Sequence, residues 1–193
     1  MEVDSYGRYW GKSIAIGADG LPVISYVKIG YLLQVGHCAD NVCSSATITS
    51  LDNLGPNFLS FPSLTIGSDG LPVISYIHGA TNALKVAHCN DLACSGASIT
   101  SLNSGGGLFS SISIGTDGLP IISHDDLNRT LIVTHCSDPA CKSATSIPLD
   151  GAYISSAIAT DGLPVIMNYS TASKTFNVVH CSNALCVPYF WRR

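Results

Sequence analysis

Apolar residues in this chain come in short bursts cut by Gly, Ser, Asp and Pro, and the bursts return on a schedule. The densest is Ile66-Gly-Ser-Asp-Gly-Leu-Pro-Val-Ile-Ser-Tyr76, with near copies at 16–26, 114–124 and 158–168. The aspartate of the Asp-Gly pair recurs at Asp19, Asp69, Asp117 and Asp161, at intervals of 50, 48 and 44. A period of this size carrying several short apolar runs is the pattern of propeller blades. No amphipathic 3.6-residue periodicity of useful length interrupts it, so helices are not expected.

Each unit reads as four strands. The first, at 13–17, sets Ile14 and Ile16 on one face and the small Ser13 and Ala15 on the other. Ser63, Ser111 and Ser155 repeat Ser13, each six residues before its turn aspartate. Small residues suit the crowded innermost strand of a ring. In unit 4 this strand is weaker, with Ser156 where the others carry Ile or Leu. Asp-Gly predicts a tight hairpin, because glycine takes positive φ without steric cost. The second strand, at 21–26, is apolar on both faces, as expected between neighbouring blades, and its proline sits at the start, where a missing N–H is tolerated. The third strand is typified by 84–89 and the fourth by 46–51. The twelve residues before Ser13 and the seven after Cys186 together match the 19 of the first connection between units, 44–62. The termini therefore read as two halves of one more connection, closing a circle of four units. Tyr6, Tyr9 and Trp10 at one end and Tyr189, Phe190 and Trp191 at the other would clasp it, or would join one molecule to the next.

Composition narrows the setting. Of 193 residues, 46% are hydrophobic and 11% charged, and mean hydropathy is +0.32. That is far below the roughly 25% charge of an average globular chain, and it suggests a surface partly covered by a partner or by copies of itself. No run approaches the ~18 apolar residues of a membrane span. Net charge is −4 with scattered cations, which argues against nucleic acid. The first residues lack the charged and apolar regions of a signal peptide, so export by another route or a mature start is expected. The eight cysteines fall as Cys38/Cys43, Cys89/Cys94, Cys136/Cys141 and Cys181/Cys186. Four matching pairs favour disulfides and an oxidising, extracellular compartment. Sequons at Asn128 and Asn168 are compatible with export.

The Gly-x-Asp-Gly-Leu-Pro-Val-Ile-Ser-Tyr hairpin resembles the first hairpin of secreted bacterial β-propeller repeats, over about residues 9–191. Unit 4 departs from it, with Ala159 for the first glycine and Met167-Asn168 at the end. The hairpin is also similar to that of TolB-like propellers, without their proline before Asp. It is not the Asp-box of sialidases. Four units of this period resemble the hemopexin-like arrangement, whose own sequence pattern is missing. The resemblance implies architecture rather than activity.

The loops His37–Cys43, His88–Cys94, His135–Cys141 and His180–Cys186 offer two thiolates and an imidazole each, a partial zinc set. The spacing is not that of a zinc knuckle, and alternation sends His and its neighbouring Cys to opposite faces, so a local disulfide with His packed between blades is favoured. The turn aspartates are read as turn formers, with a calcium ring as the functional alternative. Asp40, Asp91, Asp138 and Asn183 are read the same way. Glycosidase chemistry needs a carboxylate pair. Only Glu2 is a glutamate, so a pair would be built from Asp, and the shortage of arginine away from the termini (Arg129) disfavours a sialidase. Unit 3 breaks the repeat with His124-Asp125-Asp126 where units 1 and 2 carry Tyr26 and Tyr76, a place to graft function. The stretch 104–107 is read as a linker, not a phosphate cradle.

These features define an all-β, four-bladed β-propeller with four antiparallel strands and one disulfide per blade. It is one domain over 1–193, with units at about 13–62, 63–110, 111–154 and 155–193 plus 1–12. The favoured function is a non-enzymatic extracellular structural or interaction module, self-assembling as an oligomer or filament. A lectin-like carbohydrate- or ligand-binding propeller, using Tyr26 and Tyr76, is the alternative, with a glycoside hydrolase behind both. No cofactor is expected beyond the calcium alternative. The expected partners are copies of the chain and a glycan or protein ligand.

Overall fold

A computed structural model describes residues 10–55, 60–102, 105–170 and 172–186. All regular structure among them is β-strand, in four antiparallel sheets. Blade 1 is β1 (Trp10–Ile16), β2 (Pro22–Lys28), β3 (Leu32–Cys38) and β4 (Ala46–Asn53). Blade 2 is β5 (Ser63–Ile66), β6 (Pro72–His78), β7 (Ala83–Cys89) and β8 (Ala97–Ser101). Blade 3 is β9 (Gly106–Ile114), β10 (Pro120–Asp126), β11 (Leu131–Cys136) and β12 (Ala144–Leu149). Blade 4 has three strands among the described residues, β13 (Ala152–Ile158), β14 (Pro164–Ser170) and β15 (Thr175–His180). Neighbours in each blade follow chain order, the up-and-down meander of a propeller. No helix long and apolar enough to cross a membrane occurs among the described residues.

The hairpins are wider than Asp-Gly alone predicts. Ile16 pairs with Pro22, so five residues turn, not two. Gly17 N–H donates to the Leu21 carbonyl at 2.8 Å, and Gly20 takes φ +82°, open to glycine without strain. Proline opens each second strand, as expected from its missing donor. The glycine stretch is no linker either. Gly106 and Gly107 begin β9, and a Cβ on Gly107 would stand 2.7 Å from the Asp125 carboxylate.

Three hydrophobic cores join the blades in series. Val23, Val27, Leu33 and Val35 of blade 1 pack on Leu64, Ile74 and Tyr76 of blade 2. Val73, Ile77, Leu84 and Val86 then meet Ile112 and Ile122 of blade 3, and Ile121, Leu131 and Val133 meet Ile166 of blade 4. The repeated serine is explained by the same seams. Ser13 Oγ accepts the Leu64 N–H at 3.0 Å, Ser63 Oγ the Ile112 N–H at 3.2 Å and Ser111 Oγ the Ser156 N–H at 3.0 Å. Each small inner residue thus ties its blade to the backbone of the next. Replacing Ser63 by Ala strands the Ile112 N–H in a part-buried seam, and a loss of about 1–2 kcal/mol is expected in urea unfolding.

No comparable packing joins blade 4 to blade 1 among the described residues. Second strands of blades 2 and 3 are buried on both faces, as expected, whereas in β2 and β14 burial falls mainly on the face toward the neighbouring blade. Of the clasp residues, Trp10 opens β1 opposite Val27. Tyr6, Tyr9, Tyr189, Phe190 and Trp191 lie outside the described residues.

Candidate functional site

The propeller has two ends of different character. At the hairpin end, every turn aspartate does two jobs. Asp19 Oδ1 accepts the Leu21 N–H at 3.0 Å, and its Oδ2 meets His37 Nε2 at 2.8 Å. Asp69 with His88 and Asp117 with His135 repeat this at 2.8 Å, and Asp161 with His180 at 3.0 Å. The Leu21 N–H and the His37 contact hold the Asp19 carboxyl below the usual carboxylate range against a desolvation cost, and Asp161 is lowered in the same way by Leu163 and His180. The histidines of blades 1 to 3 are thus tied to their own turns while lying on the strand face that meets the following blade, 14–20% exposed against 53% for His180. They sit 18 or 19 residues after their aspartates in every unit, a constant spacing that could have revealed the pairs.

The cysteines pair as Cys38–Cys43, Cys89–Cys94, Cys136–Cys141 and Cys181–Cys186. Inside the loops, Asp40 Oδ1 accepts the N–H groups of Val42 and Ser44 at 3.1 and 2.8 Å, and its carboxylate also takes the Ser44 hydroxyl. Asp91 and Asp138 make the same turn, and Asn183 accepts the Leu185 N–H at 3.0 Å. No group of three or more His, Cys, Asp or Glu suited to a metal ion forms among the described residues.

Residues singled out as ligand contacts are largely internal. Tyr76 is fully buried, and its hydroxyl donates to Asp52 at 2.8 Å beside Lys85 Nζ at 2.9 Å. Burial and the Asp52 carboxylate raise the Tyr76 phenol far above its ordinary value. Tyr26 is buried too, so a lectin-like use of these tyrosines is excluded. His124 is buried, with Thr134 Oγ1 3.3 Å from its Nε2, and burial pushes its pKa down to about 4. Asp125, also buried, accepts the N–H groups of Leu108 and Phe109 at 2.9 Å each, so it braces β9. Asp126 closes its own loop, accepting the N–H groups of Asn128 and Thr130 at 2.8 Å.

The other end, where the loops after β2, β6, β10 and β14 gather, carries what the sequence reading missed. Phe61 stacks on Phe109 with centroids 4.8 Å apart and an 18° tilt, and Phe109 meets Tyr153 at 5.4 Å. The three occupy one repeat position, two residues before Ser63, Ser111 and Ser155, with Gly11 as the unit 1 equivalent. That shared offset was the available signal. The row continues through Tyr169 and Phe176 at 6.1 and 5.2 Å. Tyr153 is exposed, holds φ +53° and lies under the Arg129 guanidinium, whose Cζ is 4.7 Å from the ring centroid. A non-glycine residue in the left-handed region costs of order 1 kcal/mol and collects at functional sites. Tyr153, Tyr169 and Phe176 line a concavity of about 370 Å³. Asp150 ties down β14, its carboxylate 3.3 Å from Ser170 Oγ and its carbonyl accepting from Asn168.

No protein-family model matches the sequence, and no curated protein matches it. Solved structures do match the fold, and they are propellers. The Dos1 propeller aligns with a TM-score of 0.57 at 13% identity over 89% of this chain and 44% of its own. The exo-β-1,3-galactanase of Phanerochaete chrysosporium, with galactose, aligns at 0.60 and 10% identity over 89% and 45%. A GH43 β-xylosidase/α-arabinofuranosidase from a compost microbial metagenome aligns at 0.59 and 8% identity over 91% and 71%. The chain spans less than half the length of the first two. At such identities the likeness shows the fold, a β-propeller. The similar structures are mostly glycoside hydrolases, which counts against the expectation of a non-enzymatic structural module.

Proposed function

We propose that the protein acts on saccharides at its loop end, cleaving a glycosidic bond on the platform formed by Phe61, Phe109 and Tyr153. The observation that carries this reading is the Arg129–Tyr153 pair within the ring row. A pyranose has an apolar face of C–H groups that an aromatic ring covers, and a rim of hydroxyls that a guanidinium's five N–H donors serve. The likeness of the fold to galactanases and a xylosidase supports the same class of substrate.

Hydrolysis needs two carboxyl groups. One protonates the leaving oxygen as the bond to the anomeric carbon breaks; the other takes a proton from the water whose oxygen replaces it. Asp126 and Asp150 stand three residues before Arg129 and Tyr153 respectively and are assigned to these roles. The acid is an aspartate here because no described residue is a glutamate. The disulfides support action in an oxidising, extracellular setting.

The test is calorimetric binding together with reducing-end release on oligosaccharides of β-1,3-galactan, xylan and arabinan. Binding to one class is expected, weakened at least tenfold, about 1.4 kcal/mol, in Tyr153→Ala and Arg129→Ala. Release should vanish in Asp126→Asn and Asp150→Asn while binding persists. Binding without release removes the hydrolytic step, and absence of binding to every class removes the reading.

A further inference from the structure

Blades 1 and 4 each present a face that the rest of the chain always buries. In blades 1 to 3 the third strand carries Leu33 and Val35, Leu84 and Val86, or Leu131 and Val133, all 0% exposed beneath the following blade. The same register positions in blade 4 are Phe176 and Val178, each 71% exposed. Blade 1 shows the opposite half of the seam. Leu64 and Ile112, which receive the preceding blade, are 6% exposed, whereas their counterpart Ile14 is 64% exposed. These faces are the two complementary halves of an interface made three times within the chain, and they do not meet each other among the described residues.

The inner strand repeats the point with a hydrogen bond. The hydroxyls of Ser13, Ser63 and Ser111 each accept an N–H from the next blade. Ser155, the fourth of the series, is exposed and makes no such bond among the described residues, and Ile14 stands where Leu64, Ile112 and Ser156 supply that N–H. An apolar face of this kind marks an interaction site, and a surface repeated head to tail favours a second copy of the same chain over an unlike partner.

We infer that the outer face of blade 4 seats on the outer face of blade 1 of a second copy, with Val178 and Phe176 entering as Val86 and Leu84 do within the chain, and Ser155 Oγ accepting the Ile14 N–H of that copy. The contact is heterologous: two different faces meet, not one face with itself. It shares only Phe176 with the aromatic row, since Phe61, Phe109 and the Arg129–Tyr153 pair lie apart from the blade 1 face and Val178 does not line the concavity.

Sedimentation velocity of the chain over roughly 1–100 µM tests this. The wild type is expected as a dimer or larger species that grows with concentration. Ile14→Asp and Val178→Asp, each at an exposed position, should fold with the parent's circular dichroism yet associate at least tenfold more weakly. Mixed, they should recover a 1:1 dimer, since each keeps the face that the other has lost. If either Asp variant loses its β spectrum, Ile14→Ser or Val178→Ser replaces it. A wild type that stays monomeric overturns the inference, and hydrogen-exchange protection of β1 and β15 in that monomer would assign the cover to the chain's own terminal segments. Self-association of Ile14→Asp alone at wild-type strength would mean that like faces pair, and this also overturns it. Saccharide binding measured on Val178→Asp separates the two readings, since it should be unchanged whichever way assembly falls.

Discussion

Reduction of the four disulfides is expected to unfold the chain at room temperature. Each bridge closes a loop of only five residues in sequence separation. By chain entropy that still contributes about 2 kcal/mol apiece. Four such contributions, about 8 kcal/mol, are comparable with the whole stability of an ordinary domain, about 5–15 kcal/mol. The backbone adds to the effect. The second cysteine of every pair holds a left-handed conformation, with φ of 55°, 53°, 54° and 56° at Cys43, Cys94, Cys141 and Cys186. A non-glycine residue stays there only while its surroundings over-determine it. Far-ultraviolet circular dichroism and thermal melting with and without reductant check the expectation. A reduced, alkylated chain that melts within a few degrees of the oxidised one would show the bridges to be ornaments of the loops. Within one loop, Cys89→Ala with Cys94→Gly should outlast Cys89→Ala with Cys94→Ala by about 0.5–1 kcal/mol, because glycine tolerates the left-handed position.

Mild acid should destabilise the protein through His124 alone among its clearly shifted groups. Its imidazole is buried between blades, faced by Thr134, by the Asp125 carbonyl and by the charge of Asp126, and its pKa stands at about 4 against an ordinary 6.5. The unfolded chain therefore takes up a proton as pH falls through 6.5, and the folded chain declines it until about 4. Stability rises with pH wherever the unfolded state binds more protons, so this contribution falls progressively across that window. The shift of about 2.5 units corresponds to about 3 kcal/mol at its lower edge. The depressed carboxyls of Asp19, Asp40, Asp91 and Asp161 act elsewhere: their stabilisation is present above 3.8 and is lost only as pH drops below it through their folded values. Urea unfolding at a series of pH values between 4 and 7 should show the slope in the wild type. His124→Asn, which installs the residue blade 4 has at this position, should flatten it whatever it does to stability at neutral pH. An unchanged slope in that variant would place the effect on other histidines.

Much of the architecture could be read from spacing, because a propeller is a local object repeated. The four sheets, the first hairpin with its capping aspartate and the pairing of each cysteine with its near neighbour all lie within one unit's length of chain. What escaped was set by contact between units. Tyr76 looked like a lectin contact because it is polar and periodic, yet it is covered by Asp52 of the preceding blade. His124 and Asp125 looked grafted because they break the repeat, yet one is a buried histidine and the other a brace for β9. Phe61, Phe109 and Tyr153 drew no attention singly; they become a platform only when three blades bring them into one row. Closure of the ring depends on curvature, and a linear repeat carries no curvature. The same pattern of residues serves a ring sealed on itself and an arc with two bare flanks.

The uneven treatment of the two ends has a consequence for how this scaffold can change. Staples, aspartate–histidine ties and near-identical turns all crowd one rim, so a substitution there strikes every blade's closure. The opposite rim is assembled from loops that differ from blade to blade, at Tyr31, Asn82, Arg129 and Lys174, all of which share one left-handed backbone setting despite unlike side chains. New specificities can therefore be tried at those four sites one at a time, with the chassis beneath them left intact.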